Sequence, residues 1–338
     1  MGKSDLSPRN KAFIALALVS FFWGTTYLAI RIGVGKEAAG QVHGLFLSAV
    51  RQSIAGVLLV GFLLLRGIKL PPRKAMFKLA ALGIILLGLA NGLASWSLQY
   101  IPSGLGSVMS ATCPIFIAIF SHFLINKVRW SVRLISGMLL GFVGILGLSY
   151  DYLEAFLNPN FAFGIGLNII ATILWSLGSV YAAKWKPNTH LLMGAGLQML
   201  FGGIFTWLIV GAVGTETLVQ GPLGFAFWGS IIYLVIFGSF IAYSAFMYVL
   251  ENLPPTQASL YAYLNPIVAV LLGWIILNED LTPMTVFAIA ITIFGVYLVN
   301  TDYQAQRKKN LAKLAQAEKE ASIDLETILD AQEPEPVA

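Results

Sequence analysis

Ten long apolar runs constrain this chain more than any other feature of its sequence. Each holds about 20 mostly apolar residues, the length that an α-helix needs to cross a bilayer. The runs are continuous and rich in Leu, Ile, Ala and Gly, without the alternation of a transmembrane β-strand. They cover residues 12–31, 44–65, 76–99, 103–125, 133–150, 162–182, 191–213, 224–250, 256–277 and 283–301. The sequence therefore predicts an all-α integral membrane protein with ten transmembrane helices.

The composition agrees with lipid as the main solvent. Of the 338 residues, 57% are hydrophobic and 11% are charged. Ordinary soluble domains have about 45–50% apolar and about 25% charged residues. This balance excludes a water-soluble globule and an intrinsically disordered chain. A disulfide scaffold is excluded as well, because Cys113 is the only cysteine.

The charges between the runs predict an orientation, because cytoplasmic loops carry an excess of Lys and Arg. With the N-terminus inside, 18 of the 21 Lys and Arg residues lie in inner segments. Only Arg31 and Lys36 lie in outer segments, and Arg51 lies within a run. We therefore expect a multi-pass protein of the cytoplasmic (inner) membrane with both termini in the cytoplasm.

The two halves of the chain resemble each other. A shift of 152 residues places Trp23 on Trp175 and Pro114 on Pro266. The same shift pairs Leu98 with Leu250, Pro102 with Pro254, Ser107 with Ser259, Ile115 with Ile267 and Asn126 with Asn278. In the second runs, a shift of 146 pairs Ala49 with Ala195, Gln52 with Gln198 and Gly56 with Gly202.

These matches predict two five-helix repeats, 12–150 and 162–301, followed by a cytoplasmic tail, 302–338. Because five is odd, the two repeats must enter the membrane from opposite sides. Inverted repeats are the architecture of secondary transporters, whose binding site lies near the midplane between the halves.

Several short motifs, in this order and spacing, resemble the EamA-type transporters of the drug/metabolite transporter (DMT) superfamily. They are Trp23-Gly24-Thr25-Thr26, Arg51, the junction at 98–102 and the block at 243–279. The resemblance covers most of 12–301. It implies a ten-helix carrier with a central substrate cavity and cytoplasmic ends; similar members include exporters of amino acids and other small metabolites. The chain departs from the family pattern at Lys127, where an acidic residue is usual.

Polar side chains inside hydrocarbon are costly and should face protein or water. Fourteen polar or aromatic residues, spaced three or four apart or matched between the repeats, are candidates for lining the cavity and binding substrate. They are Trp23, Thr26, Tyr27, Arg51, Asn91, Gln99, Ser107, Ser110, Trp175, Ser179, Tyr243, Tyr261, Tyr263 and Asn265. The alternative is that the hydroxyl and small residues only hold helices together, as Gly88-x-x-x-Gly92 and Gly137-x-x-x-Gly141 are expected to do.

Three residues within the runs have two interpretations each. Arg51 lies about 10 Å into the second run at 1.5 Å per residue. It either attracts an anion or braces a gate, or it is a snorkelling or helix-bracing residue near the outer face. Pro114 and Pro266 are expected to kink the fourth and ninth runs, in a structural or a gating role. No Asp or Glu lies in the middle of any run, which argues against proton coupling through a buried carboxylate.

The sequence predicts a secondary transporter, and specifically an exporter, of small metabolites such as amino acids by alternating access around the cavity. No P-loop, dinucleotide fingerprint, zinc-ligand spacing or nucleophile elbow occurs, so we expect no cofactor, no metal and no enzymatic activity. The expected partners are a small-molecule substrate and membrane lipids, with no nucleic acid; a monomer and a homodimer both stay open. The alternatives are an integral-membrane lipid-modifying enzyme and a structural or sensory membrane protein that binds a partner through its tail.

Overall fold

A computed structural model describes residues 7–34, 41–101, 103–125, 130–147, 158–277 and 283–330. This part of the chain is nearly all helical. The helices are α1 Pro8–Val34, α2 Gly44–Leu65, α3 Arg73–Ser97, α4 Ser103–Ser110, α5 Cys113–Ile125, α6 Val132–Gly147, α7 Pro159–Trp185, α8 Leu191–Val213, α9 Thr215–Leu218, α10 Phe225–Asn252, α11 Pro255–Ala258, α12 Tyr261–Leu277 and α13 Pro283–Asp330. Two short strands, β1 Gln41–Val42 and β2 Val219–Gln220, pair antiparallel.

Seven helical segments in the described residues are long and apolar enough to cross a membrane. They are α1, α2, α3, α7, α8, α10 and residues Val286–Gln306 of α13. Helices α5 and α6 are apolar but shorter. The prediction of a helical protein with several membrane-spanning helices is thus confirmed, and seven such helices are found in the described residues.

Two of the predicted spans are interrupted. The run 103–125 forms α4 and α5, which are separated by a turn at 111–112, and Pro114 lies in the first turn of α5. Proline is tolerated there because the first N–H groups of a helix have no intrahelical acceptor. The run 256–277 is broken between α11 and α12, whereas Pro266 lies inside the continuous helix α12. The second break therefore lies N-terminal to the proline and not at it.

Helices α3 and α10 each contain an eight-residue π-helical stretch. The first π segment is Gly83–Ala90 and the second is Leu234–Ile241, so they begin 151 residues apart. This offset is within one residue of the 152-residue sequence shift. Long π-helical stretches are rare and are found frequently at functional sites.

Each π segment packs against the first helix of the other half of the chain. A Cβ atom on Gly238, in the second π segment, would lie 3.0 Å from the side chain of Thr26 in α1. A Cβ atom on Gly178 in α7 would lie 2.6 Å from Leu86, in the first π segment. The two halves therefore exchange equivalent contacts at the centre of the molecule.

Glycines allow the closest helix pairs. A Cβ atom on Gly295 of α13 would lie 2.5 Å from the backbone nitrogen of Gly141 in α6. A Cβ atom on Gly56 of α2 would lie 2.5 Å from the backbone nitrogen of Leu200 in α8. Such contacts leave no room for a side chain, as expected where helix backbones pack directly against each other.

Helix α13 continues beyond the last predicted span, which ends at residue 301. At this point the Ser131 hydroxyl donates to Asp302 at 2.6 Å and accepts from the backbone nitrogen of Leu134 at 3.0 Å. Ser131 therefore caps α6 and ties it to α13. The residues 302–330 of the tail are helical in the structure.

Candidate functional site

A cavity of about 100 Å³ lies between the two halves of the chain. Its walls come from α1, α2, α3, α4 and α5 in the first half and from α7, α10 and α12 in the second. The lining residues are Trp23, Thr26, Tyr27, Ile30, Arg51, Gln52, Leu87, Ala90, Asn91, Ala94, Leu98, Ser110, Cys113, Ala171, Thr172, Trp175, Gly238, Ser239, Tyr243, Tyr261 and Asn265. Both repeats thus contribute to one site.

The cavity is lined at different levels of the helices that surround it. On α1 it is lined from Trp23 to Ile30, and on α3 from Leu87 to Ala94. These residues are in the C-terminal halves of their helices. On α7 and α10, by contrast, the lining residues lie near the middle of the helix, at 171–175 and 238–243.

Four aromatic side chains pack together at the cavity, and we call Trp23, Trp175, Phe246 and Tyr261 the aromatic layer. The first, second and fourth of them line the cavity, and Phe246 packs against them. The ring centroids of Trp23 and Trp175 are 5.3 Å apart with planes at 81°, and those of Trp23 and Tyr261 are 4.9 Å apart. Phe246 stacks on Trp175 at 5.5 Å. These distances are typical of favourable aromatic pairs.

Trp23 is anchored across the interface between the halves. Its indole Nε1 donates a hydrogen bond to the backbone oxygen of Gly238 at 3.1 Å. Gly238 belongs to the second π segment, where the carbonyl oxygens are displaced from regular α-helical pairing. An irregular backbone at membrane depth is tolerated where it is buried in protein or lines a cavity.

Hydrogen bonds between polar side chains join neighbouring helices around the cavity. The Tyr27 hydroxyl of α1 donates to the Ser110 hydroxyl of α4 at 2.6 Å, and Ser110 donates to the backbone oxygen of Gly106 at 3.0 Å. With its amide nitrogen turned toward them, Asn265 donates to the backbone oxygens of Ser20 and Tyr261, each at 2.9 Å. These hydrogen bonds hold Tyr27, Ser110 and Asn265 in place in the wall.

Two amide interactions occupy equivalent places in the halves. Gln52 of α2 donates to the Asn91 side-chain oxygen of α3 at 3.3 Å. In the second half, Tyr243 of α10 donates to the Gln198 side-chain oxygen of α8 at 2.7 Å. The sequence shifts of 146 and 152 residues pair Gln52 with Gln198 and Asn91 with Tyr243. A hydrogen bond thus joins equivalent helices in both halves, between two amides in the first half and between a phenol and an amide in the second.

Arg51 brings the only charge among the described lining residues. It is 4% exposed, and its Nε donates to the Ser239 hydroxyl at 3.1 Å. No described carboxylate lies within 4 Å of its guanidinium. Burying a cation without a counter-charge costs free energy, because the ion loses its hydration. The N–H groups of Arg51 other than Nε–H can therefore bind a polar or anionic group that enters the cavity.

Ten of the fourteen side chains predicted to line the cavity do so in the structure. They are Trp23, Thr26, Tyr27, Arg51, Asn91, Ser110, Trp175, Tyr243, Tyr261 and Asn265. The structure therefore brings together residues from seven of the predicted spans.

The other four do not line this cavity. Gln99 lies beyond the end of α3 and donates to the backbone oxygen of Val42 at 3.4 Å. Ser179 bonds within its own helix, to the Trp175 oxygen at 2.7 Å. Tyr263 donates to the Met138 oxygen in α6 at 3.2 Å. Ser107 is buried outside the lining.

Four polar or sulfur-bearing lining residues were missed: Gln52, Cys113, Thr172 and Ser239. Their spacing could have identified two of them. Thr172 precedes Trp175 by three residues and Ser239 precedes Tyr243 by four, so each shares a helix face with a predicted site residue. Gln52 was recognised in the repeat but not as a lining residue.

The site is suited to non-covalent recognition of a solute. It combines aromatic faces, amides, hydroxyls and one guanidinium, whereas no group of three or more His, Cys, Asp or Glu residues occurs in the described parts of the chain. Ligand sites commonly have this form, mostly apolar with a few placed polar groups. Fold and site together define a polytopic membrane protein with a solute-sized cavity between two related halves.

The chain belongs to the EamA-like transporter family. The family model matches twice, at residues 10–150 and 162–301, so the chain contains two copies of the EamA unit. The resemblance drawn from the sequence motifs is thereby confirmed, and the protein is a member of a family of membrane transporters.

Named relatives agree with this assignment. The chain is 37% identical over 294 residues to "Uncharacterized inner membrane transporter YedA" of Escherichia coli (strain K12), covering 85% of this chain and 90% of that protein. It is 28% identical to "WAT1-related protein At3g02690, chloroplastic" of Arabidopsis thaliana, over 83% of this chain and 67% of that protein. A solved crystal structure matches the fold with a TM-score of 0.68 at 19% identity, over 86% of this chain and 96% of that one.

Proposed function

We propose that this protein is a secondary transporter that exports small metabolites, such as amino acids, by alternating access around the central cavity. One observation carries the proposal: side chains of both repeats surround one cavity, and rings of the aromatic layer form part of its wall. A site shared by two halves changes its access when the halves move relative to each other.

The proposed topology has ten spans in two inverted repeats, 12–150 and 162–301, with a cytoplasmic tail at 302–338. The reciprocal contacts of the two π segments support it, because a two-fold axis between the halves generates such exchanged pairs. The excess of Lys and Arg in alternate loops supports cytoplasmic termini. The name of the Escherichia coli relative supports a location in the inner membrane.

In this topology we take the cavity to open toward the outside, with the aromatic layer between it and the cytoplasm, because Trp23 and Tyr261 are the lining residues of α1 and α12 nearest to the inner ends of these helices. The transport cycle requires the layer to open while the opposite side closes. The helix breaks between α4 and α5 and between α11 and α12 supply places where a span can bend. Pro114 lies directly after the first break, and Pro266 lies in the second turn of α12, after the second break; each would limit how its helix rearranges.

The ten predicted residues that line the cavity form the substrate site in this proposal, with Gln52, Thr172 and Ser239 in addition. The aromatic layer would pack against the apolar part of the solute. The amides and hydroxyls, already fixed by their mutual hydrogen bonds, would orient its polar part.

The test is counterflow in liposomes that contain the purified protein. Vesicles are loaded with one metabolite of a panel, and uptake of the labelled form of the same metabolite is followed. We expect at least one amino acid or related solute to exchange, and Trp175→Ala to reduce its exchange by about tenfold, or ~1.4 kcal/mol in binding of the solute. Exchange of no solute by correctly folded protein would contradict the proposal.

A further inference from the structure

We propose that Arg51 forms an anion-binding subsite in the central cavity and that the transported solute is a small organic carboxylate. The carboxylate would lie on the guanidinium, and the apolar part of the solute would lie against the aromatic layer. This inference rests on the proposed transport function and specifies the chemistry of its substrate.

The first argument is the missing counter-charge. Arg51 is 4% exposed and lies seven residues after Gly44, the first residue of α2. No carboxylate in the described ranges lies within 4 Å of its guanidinium. Buried charges are normally paired, because desolvation of an isolated ion is costly. An anionic solute entering the cavity would supply the pair.

The second argument is the geometry of the guanidinium. Its Nε is bound to the Ser239 hydroxyl, and this bond fixes the plane of the side chain. The position facing its terminal nitrogen is a glycine: a Cβ atom on Gly238 would lie 2.7 Å from the Nη2 atom of Arg51. A side chain at Gly238 would therefore collide with the guanidinium, so the glycine lets Arg51 adopt this position. Among the described residues, the terminal N–H groups of Arg51 make no hydrogen bond. A planar arginine with free terminal N–H groups is suited to two parallel bonds with a carboxylate.

The third argument is that the second repeat folds without a cation at the position equivalent to Arg51. The shift of 146 residues that aligns the second spans places Arg51 on Leu197. Leu197 is buried in an apolar cluster with Val60, Met193 and other hydrophobic residues. Since the second copy folds with leucine there, a structural brace is a poor explanation for arginine in the first copy.

The positive charge of Arg51 favours an anionic solute over a cationic one. Clustered aromatic rings such as Trp23, Trp175 and Tyr261 are typical of sites for organic cations. Every other described lining residue is neutral, so Arg51 makes the cavity positive and opposes a cation. The carbonyl oxygen of the Gln52 side chain is buried without a hydrogen-bond donor, and it can accept from an N–H or O–H group of the same solute.

The test compares binding of a carboxylate and its uncharged amide to the purified protein in detergent, at constant pH and ionic strength. The probes are propionate with propionamide and benzoate with benzamide, measured by calorimetry. We expect the carboxylates to bind at least about tenfold more tightly than the amides, and Arg51→Gln to abolish this preference. Arg51→Lys should keep part of it, because the charge remains without the planar fork.

The matched control is Arg66→Gln, which removes the same charge from an exposed position at the end of the same helix. This variant should bind carboxylates as the unchanged protein does. Equal binding of carboxylate and amide, no carboxylate binding by folded protein, or unchanged binding by Arg51→Gln would each overturn the proposal.

A second measurement does not depend on the choice of solute. Cys113 is the only cysteine and lines the same cavity. Anionic methanethiosulfonate reagents should modify it faster than cationic ones, and Arg51→Gln should lower this ratio of rates by about tenfold. An unchanged ratio in a folded Arg51→Gln protein would show that Arg51 does not set the charge of the cavity.

Failure of this inference and failure of the proposed function give different results. If neutral or cationic solutes exchange in counterflow and Arg51→Gln transports them normally, transport stands and the anion subsite falls. If carboxylates bind through Arg51 but no solute crosses the membrane, the subsite stands and transport falls.

Discussion

The indole rings of Trp23 and Trp175 lie edge to face with their centroids 5.3 Å apart, although 152 residues separate them in the chain. They occupy matching positions in the two copies of the EamA unit. Equivalent residues touch each other only close to the axis that relates two copies. The contact between the two tryptophans therefore joins the two copies directly, at the wall of the cavity that both rings line.

We expect the bond between Trp23 and Gly238 to stabilise the contact between α1 and the second π segment. Trp23→Phe keeps an aromatic ring in the layer but removes the indole N–H that donates to the Gly238 oxygen. The free energy of unfolding should fall by about 1 kcal/mol, the usual net contribution of one hydrogen bond. Thermal unfolding in detergent measures this change.

The control for Trp23→Phe is Trp228→Phe, because Trp228 is 44% exposed and no described hydrogen bond holds its indole. That variant should unfold within about 0.5 kcal/mol of the unchanged protein, as surface substitutions usually do. Equal losses in the two variants would show that the bond to Gly238 contributes nothing specific.

The aromatic and polar residues of the cavity could be predicted from the sequence because two independent signals agreed on them. Trp23 and Trp175 are rare residues matched by one shift, and Asn91 and Tyr243 are polar positions within apolar runs. A polar group in hydrocarbon must face protein or water, so its presence already restricts where the helix face points. The internal repeat then placed these faces at one interface.

Tyr263 and Gln99 could not be separated from true lining residues by sequence alone. Tyr261 and Tyr263 are two residues apart on α12 and cannot share a helix face, but the sequence does not say which of them points inward. Gln99 continues the spacing of Asn91 and Ser95, yet α3 ends at Ser97, so the spacing no longer applies. Helix rotation and helix ends are set by packing with other helices.

A side chain larger than hydrogen at Gly295 should destabilise the pair formed by α6 and α13. A Cβ atom there would lie 2.5 Å from the Gly141 nitrogen and 2.6 Å from the Gly137 oxygen, both backbone atoms that cannot move aside. We expect Gly295→Ala to lower the free energy of unfolding by about 1–3 kcal/mol, the usual cost of overpacking. Thermal unfolding in detergent again provides the measurement.

Gly166→Ala is the matched control, because a Cβ atom on Gly166 in α7 would meet nothing within 4 Å. This substitution should be neutral or stabilise the protein by up to about 1 kcal/mol, since alanine favours the helix over glycine. Loss of stability at Gly166 equal to that at Gly295 would contradict the packing argument.

The proposed outward position of the cavity can be tested with Cys113. Its thiol lines the cavity and accepts a hydrogen bond from the Ser176 hydroxyl at 3.2 Å. A membrane-impermeant thiol reagent should therefore modify Cys113 from the outer side of sealed vesicles and block counterflow, because the added group fills much of a cavity of about 100 Å³. Cys113→Ser should transport and resist the reagent.

Modification that occurs only from the cytoplasmic side would reverse the assigned direction of the cavity. Vesicles of known orientation are required, and mass spectrometry of the modified protein separates the two results. Because the chain has a single cysteine, no background substitution is needed.

His43 should make the stability of the protein depend on pH. Its Nδ1 accepts a hydrogen bond from the Leu45 backbone nitrogen at 3.2 Å at the start of α2, and its ring packs 5.0 Å from that of Trp96. Burial lowers the pKa of His43 to about 4 from its ordinary value of 6.5. The folded protein therefore keeps a neutral imidazole at a pH where the unfolded chain is already protonated.

The sign follows from this difference in bound protons. Above about pH 6.5 both states are neutral and the contribution of His43 is fully present; as the pH falls from about 6.5 to about 4, the unfolded chain binds the proton first and stability declines. We expect the melting temperature in detergent to fall over this window. In His43→Asn, which can still cap the helix but does not titrate, the decline should be smaller. An identical pH dependence in the two proteins would show that protonation of His43 does not oppose folding.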